Sequence, residues 1–287
     1  MDQQVMPRVG IGVPTYNRPA GLRHTLACLS AQTYPNIDIL VSDNASPDPA
    51  VAEVVAEMAA RDPRIRYVRQ PTSLGATGNF RFLLDACRDE FFMWAADDDE
   101  WAPGFVEACV SALLSAPGAV SAMTGVETLY RGNGRRVPVS MPALSPDHSR
   151  GQNFRAFLKC MAPGVIYGVH RREAVQFFLE GEMFDYYDCY FALRLITQGR
   201  GVVLVPERLY TAGVEGTEYV VKTQHGSWGS GLRYLPFYTA ARSILAQTGF
   251  GLLQRLRIEI SLALLTARLF VGQERAALMR SLRPSRT

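Results

Sequence analysis

Apolar runs of strand type alternate with helix-like stretches over the first 125 residues of the chain. The runs are rich in β-branched and aromatic residues and predict strands at 9–13, 37–42, 65–68, 91–95 and 119–124. Between them, apolar residues recur three or four positions apart, which is the spacing of one helix face, and the first such helix begins at Pro19. Strands and helices joined this closely predict an α/β fold, with a mostly parallel sheet flanked by helices.

The second half of the chain has a weaker pattern. Residues 131–153 are rich in Gly, Pro, Ser and Arg and predict a loop or excursion. Helices are predicted at 154–161, 173–181 and 188–199, a strand at 202–205, and a long amphipathic basic helix near the end. The glycine-rich stretch 213–231 is typical of a movable lid. We therefore expect one domain over 1–215, with halves that meet near residue 125, and a lid with a C-terminal helical extension over 216–287.

Three polar loops follow predicted strands, at 14–18, 42–48 and 97–100. In a parallel sheet the carboxyl ends of the strands share one edge, and ligands bind in the crevice outside that edge. Although the loops are far apart in sequence, we expect them to converge there and to form a binding site.

The composition is that of a globular protein, with 48% hydrophobic and 20% charged residues. A formal net charge of +3 is too small to indicate nucleic acid, so no nucleic-acid partner is expected. Five cysteines without a CxxC pair favour a reducing, cytoplasmic location over a disulfide framework. The sequence shows neither the pattern of a signal peptide nor that of a membrane span, and we expect neither.

Basic residues are concentrated towards the C-terminus. Residues 252–287 contain seven arginines but only two acids, Glu259 and Glu274. A basic amphipathic helix of this kind is suited to an anionic surface, either phosphates or lipid headgroups. It predicts peripheral contact with the inner face of the membrane. The alternative is that the helix packs on the catalytic domain or forms a homodimer contact.

The stretch 94-WAADDDEW-101 places three aspartates and a glutamate where the fourth predicted strand ends. Adjacent like charges repel, so this cluster needs solvent, a cation or a bound partner. The hard cations Mg²⁺ and Mn²⁺ prefer oxygen ligands and often link one or two carboxylates to substrate phosphates. Asp97, Asp98 and Asp99 are therefore candidate metal ligands, and a solvated turn is the alternative interpretation.

The motifs VPTYNR, SDNAS, LGATGNF and DDDEW occur in this order at suitable spacing. Together they resemble the family 2 glycosyltransferases, strongly over residues 8–125 and more weakly over 164–210. The resemblance implies the GT-A fold, with transfer of a sugar from a UDP-, GDP- or dTDP-sugar to an acceptor hydroxyl and inversion at the anomeric carbon. It also suggests a glycan or lipid-linked acceptor in surface-glycan assembly.

The resemblance assigns donor binding to residues of these motifs. They are Pro14, Thr15, Tyr16, Arg18, Asp43, Asn44, Gly75, Asn79 and Asp97. Tyr16 is expected to stack on the base, and Asp43 to accept hydrogen bonds from the base or the ribose. For Asp43 and Asn44 the alternative is an Asx turn that caps the next helix. For Gly75 and Asn79 it is a simple turn and cap.

The family's acidic motif is usually written DXD. Here Ala96 stands where many members carry the first aspartate of a longer pattern, so the operative pair is either Asp97 with Asp98 or Asp98 with Asp99. We expect Asp98 to be the principal ligand of Mn²⁺ or Mg²⁺, with Asp99 beside it and His225 as a further candidate. The metal would neutralise charge on the diphosphate leaving group.

Inverting transfer also needs a base that takes the proton of the acceptor hydroxyl. In the family this base is an Asp or Glu at the start of a helix, ahead of a pattern that resembles 188-DCYFALRLITQG-199. Asp188 fits best by spacing, and Asp185 is the alternative. The competing interpretation for Asp188 is that it caps the helix, whose N-terminus favours negative charge.

Two other functions share this fold. A sugar-phosphate nucleotidyltransferase would be expected to carry a Gly- and Arg-rich phosphate loop after the first strand, where this chain has VPTYNR. A degenerate GT-A domain that serves as a non-catalytic binding subunit is kept open by Ala96. The intact acidic cluster and the spacing of Asp188 favour an enzyme instead.

Overall fold

The computed structural model describes residues 6–161, 163–184, 186–215 and 235–281, and for residues 268–281 it describes the backbone only. The strands are β1 (Val9–Thr15), β2 (Ile37–Asp43), β3 (Ile65–Arg69), β4 (Phe91–Trp94), β5 (Glu100–Trp101), β6 (Ser121–Tyr130), β7 (Arg135–Pro138), β8 (Val169–Arg171) and β9 (Val202–Val214). The helices are α1 (Pro19–Ser30), α2 (Ala50–Arg61), α3 (Gly75–Ala86), α4 (Phe105–Ser115), α5 (Arg150–Cys160), α6 (Tyr187–Thr197), α7 (Leu235–Gln247) and α8 (Leu252–Ser281). Two 3₁₀ segments span Pro163–Tyr167 and Arg172–Leu179.

The described strands form one sheet in the order β3-β2-β1-β4-β8-β6-β9-β5, and β7 pairs with the outer half of β6. Strand β1 pairs in parallel with both β2 and β4. The chain adds β2 and β3 on one side of β1 and β4 on the other, so the strand order reverses its direction between β1 and β4. The pairings β2–β3 and β6–β9 are also parallel. Strands β5, β7 and β8 pair antiparallel with their neighbours. The sheet is therefore mixed, and its long pairings are parallel.

Helices cover both faces of the sheet because successive strand residues point to opposite faces and both sets are apolar. Ile11 and Val13 of β1 belong to the core that α1, α2 and α4 cover. Phe92 and Trp94 of β4 belong to the second core, which α3, α5, α6, α7 and α8 cover. The predicted α/β architecture, mostly parallel with flanking helices and a C-terminal helical extension, is confirmed.

A glycine in β1 lets α3 lie close against the sheet. A Cβ at Gly12 would be 2.8 Å from the Cβ of Leu83 on α3 and 3.1 Å from the ring of Phe92. Both separations are too short for ordinary packing, so the missing side chain sets the distance between α3 and the strands. The first turns of α3 thereby reach the carboxyl end of β2.

The region 131–153, which the sequence predicts to be a loop, contains regular structure. Strand β7 forms a hairpin with β6, and α5 begins at residue 150 after a capping box made by Ser149 and Gln152. Strand β7 lies at the edge of the sheet and is largely exposed, so it carries no apolar alternation that would reveal it. The helix predicted at 173–181 is a 3₁₀ segment at Arg172–Leu179 that still buries Ala174, Val175 and Phe178.

Strand β9 is much longer than the four residues predicted at 202–205. The polar, exposed stretch 206–208 interrupts its apolar pattern, opposite an irregularity of register in β6 near Gly125. Beyond this bulge the strand continues to Val214 beside β6 and β5. This extension is what carries β9 to the predicted binding edge.

The C-terminal helices α7 and α8 pack on α6 and α5. They contribute Phe237, Ile244, Ile258 and Leu262 to the same core as α3 and α6. In the described part of the chain, no helix combines the length and apolar composition that a membrane crossing needs.

Candidate active site at the carboxyl ends of the strands

The predicted polar loops converge beside the reversal of winding between β1 and β4. The hydroxyl of Thr15, the last residue of β1, donates a hydrogen bond to Asp97 Oδ2 at 2.8 Å, across 82 positions of sequence. The backbone N–H of Asn44, which follows β2, donates to the carbonyl of Thr15 at 3.0 Å. Crevices at such a reversal are the usual ligand sites of open α/β sheets. The convergence predicted from the loop pattern is therefore found.

The three aspartates of the acidic loop, residues 97–99, differ in burial and in partners. The Asp97 carboxylate is buried between Thr15 and Arg18, and Asp99 is buried on the side of β9. The side chain of Asp98 is 31% exposed and is the accessible carboxylate of the three. A cation that enters from solvent, alone or with a phosphate, would therefore contact Asp98 before the other two aspartates.

Arg18 joins Asp97 and Asp98 through one nitrogen. Its Nη1 lies 3.2 Å from Asp97 Oδ1 and 2.6 Å from Asp98 Oδ2, so the two carboxylates face a common space. Burial lowers the pKa of Arg18, but the charges of Asp97 and Asp98 outweigh it and raise the pKa overall. Burial raises the pKa of Asp97, and hydrogen bonds from Thr15 and Arg18 partly oppose that rise. The guanidinium supplies a positive charge where the sequence predicts a cation.

Asp99 anchors the acidic loop to β9. Its Oδ2 accepts a hydrogen bond from the Tyr210 hydroxyl at 2.5 Å, and its Oδ1 accepts one from the Gly213 N–H at 2.8 Å. Burial, followed by the charge of Asp98, raises the pKa of Asp99 to about 7. Each carboxylate oxygen already has a donor, so the ligand role predicted for Asp99 stays a prediction. In this conformation only Asp97 and Asp98 of the acidic loop face the space around Arg18 Nη1.

Helix α1 holds the acidic loop from the other side. The Thr25 hydroxyl lies 3.2 Å from the carbonyl oxygen of Ala96 and 3.1 Å from that of Asp99. A Cβ at Gly21 would lie under 3.0 Å from the carbonyl oxygen of Asp97, a separation that real Cβ atoms do not show. The absence of a side chain at Gly21 is therefore required for this close approach.

Asp43 and Asn44 organise the loop after β2. Asp43 Oδ1 accepts from the Ser46 N–H at 2.8 Å, and Oδ2 accepts from the Tyr67 hydroxyl at 2.7 Å. Asn44 Oδ1 accepts from the Leu74 N–H at 2.7 Å, which ties this loop to the start of α3. The bond between Asp43 and Ser46 is the turn contact of the alternative interpretation, but neither Asp43 nor Asn44 caps α2, whose N-cap residue is Pro49. With Asp43 only 1% exposed, its predicted contact with a base or ribose stays a prediction.

Asn79 is buried against the end of β2. Its Oδ1 accepts from the Ser42 hydroxyl at 2.6 Å, and its Nδ2 donates to the Ser42 carbonyl at 2.9 Å. Gly75 has a positive φ of 69° at the start of α3, with open space where a Cβ would be. Pro14 is buried within β1, and Tyr16 is half exposed after it. Asn79 thus positions the loop, while Gly75 and Tyr16 border free space.

Asp188 lies in the first turn of α6, where its Oδ1 accepts from the Cys189 N–H at 2.8 Å. This bond joins neighbouring residues and is not the capping bond to an N–H two or three positions further on, and the N-cap residue of α6 is Tyr186. Burial raises the pKa of Asp188 despite that contact. The alternative base, Asp185, and the candidate ligand His225 lie outside the described residues, so both stay predictions.

Tyr167 connects Asp188 with the acidic loop electrostatically. Burial is the main cause that raises the pKa of its phenol, and the charges of Asp99, Asp98 and Asp188 raise it further. The ring also packs against Tyr210, with centroids 5.7 Å apart. One tyrosine therefore lies within reach of the charges of both the acidic loop and the candidate base.

Several residues of this site were missed at the level of sequence. Arg131 Nη2 donates to the carbonyl of Asp98 at 2.6 Å, and Arg136 pairs with Glu100 at 2.7 Å. Tyr210 and Tyr167 complete the surroundings of Asp99. The clustered arginines of 131-RGNGRR-136 were the available signal, whereas nothing local to the tyrosines points to the acidic loop.

The donor set fits a cation that is completed by a substrate better than a closed protein cage. Among the described residues, no group of three or more His, Cys, Asp or Glu side chains is placed to hold a metal ion. One accessible carboxylate, Asp98, with Asp97 beside it, matches the way Mg²⁺ is bound through one or two carboxylates and phosphate oxygens. The residues present therefore fit Mn²⁺ or Mg²⁺ bound together with a diphosphate.

Solved structures share this fold. S. aureus TarS 1-349 in complex with UDP-GlcNAc superimposes with a TM-score of 0.65 at 15% identity, over 88% of this chain and 70% of that one. Mannosyltransferase PcManGT from Pyrobaculum calidifontis, in complex with GDP-Man and Mn2+, gives a TM-score of 0.58 at 17% identity, over 98% and 77%. The sheet, the reversal between β1 and β4 and the acidic loop are those of a GT-A-like fold.

The family follows from the sequence comparison. The model of Glycosyl transferase family 2 matches residues 11–176, more than half of the chain, and the chain belongs to this family of enzymes. A curated relative is the GalNAc(5)-diNAcBac-PP-undecaprenol beta-1,3-glucosyltransferase of Campylobacter jejuni, 34% identical over 100 residues. That match covers 34% of this chain and 32% of the relative's length. Membership favours the glycosyltransferase interpretation over the nucleotidyltransferase alternative.

Proposed function

We propose that this protein transfers a sugar from a nucleoside-diphosphate-sugar to an acceptor hydroxyl, with inversion, and that Mn²⁺ or Mg²⁺ assists the reaction. The observation that carries the proposal is the acidic loop, which is held at the β1–β4 reversal with one accessible carboxylate, Asp98, facing the same space as Arg18. Family membership and the two ligand-bound structures of the same fold support it.

The diphosphate of the donor would lie at Asp98 and Arg18. When bound, the divalent cation would supply positive charge to the leaving diphosphate. Arg18 is already drawn towards Asp97 and Asp98, so it can offer donors to a phosphate oxygen without a large rearrangement. Asp99 would then act as an anchor that keeps Asp98 in place through Tyr210 and Gly213.

Asp188 would be the base. A carboxylate whose pKa is raised by burial takes a proton more readily at neutral pH than an exposed one. The acceptor hydroxyl would give its proton to Asp188 while its oxygen attacks the anomeric carbon, and the nucleoside diphosphate would leave on the opposite side. No covalent sugar-enzyme intermediate is formed in such a single displacement.

The acceptor would be a glycan or a lipid-linked glycan of surface polysaccharide assembly. The Campylobacter relative named above acts on a saccharide linked through diphosphate to undecaprenol, as its name states. The matched segment is 32% of that protein's length.

A donor panel tests the function. Thermal shift and transfer assays with UDP-, GDP- and dTDP-sugars, each with Mn²⁺, Mg²⁺ or EDTA, should identify one donor that raises the melting temperature with metal present. No shift with any donor would refute donor binding. Binding without transfer to glycan or lipid-linked acceptors would favour the non-catalytic subunit instead.

Matched variants assign the roles. Asp98→Asn should abolish the metal-dependent part of donor binding, whereas Asp85→Asn, a substitution of an exposed aspartate on α3, should leave it unchanged. Asp188→Asn should keep donor binding but reduce transfer by about 10²–10⁴-fold, the usual loss for a general base. Full transfer by Asp188→Asn would move the role of base to Asp185 or elsewhere.

A further inference from the structure

Helix α8 has an exposed apolar face. Along it, Leu253, Leu256, Ile260 and Leu264 recur three or four positions apart, the spacing that places side chains on one side of a helix. Leu253 is 73% exposed, Leu264 67%, and Leu256 and Ile260 52% each. Leu252 extends the face by one more residue and is 82% exposed. These five residues are called the leucine face below.

The opposite face of α8 already has a partner. Ile258 and Leu262 are fully buried in the core shared with α5 and α7. A Cβ at Gly151 of α5 would collide with the side chain of Gln254, which shows how closely the two helices approach. Packing on the catalytic domain therefore uses one side of α8 and leaves the leucine face uncovered by the described part of the chain.

An exposed arginine borders the leucine face at position 257. Arg257 is exposed and has no ion pair among the described residues, whereas Arg255 pairs with Glu259 at 3.4 Å. The sequence of residues 252–287 carries seven arginines against two glutamates. An apolar face with such a border is complementary to anionic headgroups above and acyl chains below.

We propose that the leucine face docks this protein on an anionic lipid bilayer, with α8 lying parallel to the surface. From Leu252 to Leu264 the helix is about 18 Å long, so several apolar side chains can enter the headgroup–acyl boundary together. Arg257 lies close to the middle of that length. A twofold contact between two copies through this face would bring their Arg257 side chains near each other, and this repulsion favours lipid as the occupant.

The docking surface is joined to the helix of the candidate base through packed helices. Helix α8 packs on α5 and α7, and these two helices pack on α6, which carries Asp188. Under the function proposed above, docking would bring α6 near a lipid-linked acceptor. The docking itself does not depend on that function, since it can be measured without donor or acceptor.

Co-sedimentation of the full chain with vesicles tests the proposal. The wild-type protein should bind vesicles with about 30% phosphatidylglycerol in phosphatidylcholine, and bind pure phosphatidylcholine weakly. The triple variant Leu253→Gln/Leu256→Gln/Ile260→Gln should bind the anionic vesicles at least about tenfold less, because it removes the apolar insertion. Arg257→Gln should lose about fivefold, as expected for one cation near an anionic surface.

Leu114→Gln is the matched control, because Leu114 is a similarly exposed leucine on the distant helix α4. It should bind like the wild type. Circular dichroism and melting curves verify that each variant is folded. Equal binding by the triple variant, equal binding of the wild type to both vesicle types, or no binding at all would overturn the proposal. A wild-type dimer in ultracentrifugation that the triple variant abolishes, without vesicle binding, would assign the face to self-association.

Discussion

Gly21 provides a sharp test of how the acidic loop is held. In an exposed helix interior, Gly→Ala normally stabilises a protein by up to about 1 kcal/mol. Here the new Cβ would lie under 3.0 Å from the carbonyl oxygen of Asp97, whereas an ordinary carbon–oxygen contact is about 3.3–3.6 Å. Backbone of the acidic loop or of α1 must move by on the order of 1 Å to admit the methyl group.

The cost in stability follows from this displacement. Overpacking of a closely packed site costs about 1–3 kcal/mol, and the gain in helix propensity offsets up to about 1 kcal/mol. We therefore expect Gly21→Ala to lower the free energy of unfolding by about 1–2 kcal/mol in urea denaturation. The contacts of Thr25 with the carbonyls of Ala96 and Asp99 would be strained by the same movement.

The cost in activity should be larger. A shift of about 1 Å at groups that position a substrate can reduce the rate about 10²-fold. We expect the donor that the panel identifies to be transferred about 10²-fold more slowly by Gly21→Ala. Gly104→Ala is the control, because Gly104 has open space around the position of a Cβ. A Gly21→Ala variant with the wild-type rate and stability would refute the close approach of α1 to the acidic loop.

Three further changes test the buried histidine of β8 and two contacts that hold the site. His170 is fully buried, and burial lowers its pKa to about 4. Because the unfolded chain binds the proton first, stability should fall by up to about 3 kcal/mol between pH 6.5 and 4, and His170→Gln should flatten this dependence in denaturation curves across pH. Tyr210→Phe removes a donor from buried Asp99, so the free energy of unfolding should fall by about 1–3 kcal/mol; no change would refute the anchor. Asn79→Ala loses both hydrogen bonds with Ser42 and should cost about 2 kcal/mol in urea unfolding; unchanged stability would contradict the positioning role of Asn79.

Locally encoded features were predictable from the sequence. Helix α1 begins at Pro19 as predicted, because a fixed φ and a regular apolar spacing are properties of adjacent residues. The meeting of Thr15 with Asp97 was also predictable, because parallel strands bring their carboxyl ends to one edge whatever the loops contain. The start of α1 follows from neighbouring residues, and the meeting of Thr15 with Asp97 follows from the order and direction of the strands.

Features that depend on distant partners were not predictable. The three adjacent aspartates look equivalent in sequence. Asp99 nevertheless differs from the others because it is buried against Tyr210, and no local pattern reveals a partner that lies 111 positions away. That partner belongs to an extension of β9 that the polar stretch 206–208 concealed. For the same reason Asp43, which motif resemblance places on the donor, has a partner in Tyr67, which lies in β3 outside every motif. Asn79 and Ser42 both belong to motifs, but nothing in the sequence shows that the two side chains bond to each other.

The burial of Ile258 and Leu262 has a consequence for how this protein can be dissected. A chain ending before α8 would expose the apolar surface of α5 and α7 that these residues cover, so it would be prone to misfold or aggregate. If residues 252–287 were removed, a loss of vesicle binding could therefore come either from the missing docking surface or from misfolding of the rest of the chain. The C-terminal helix is therefore not an exchangeable module, and any transplant or deletion of it would have to carry α5 and α7 along.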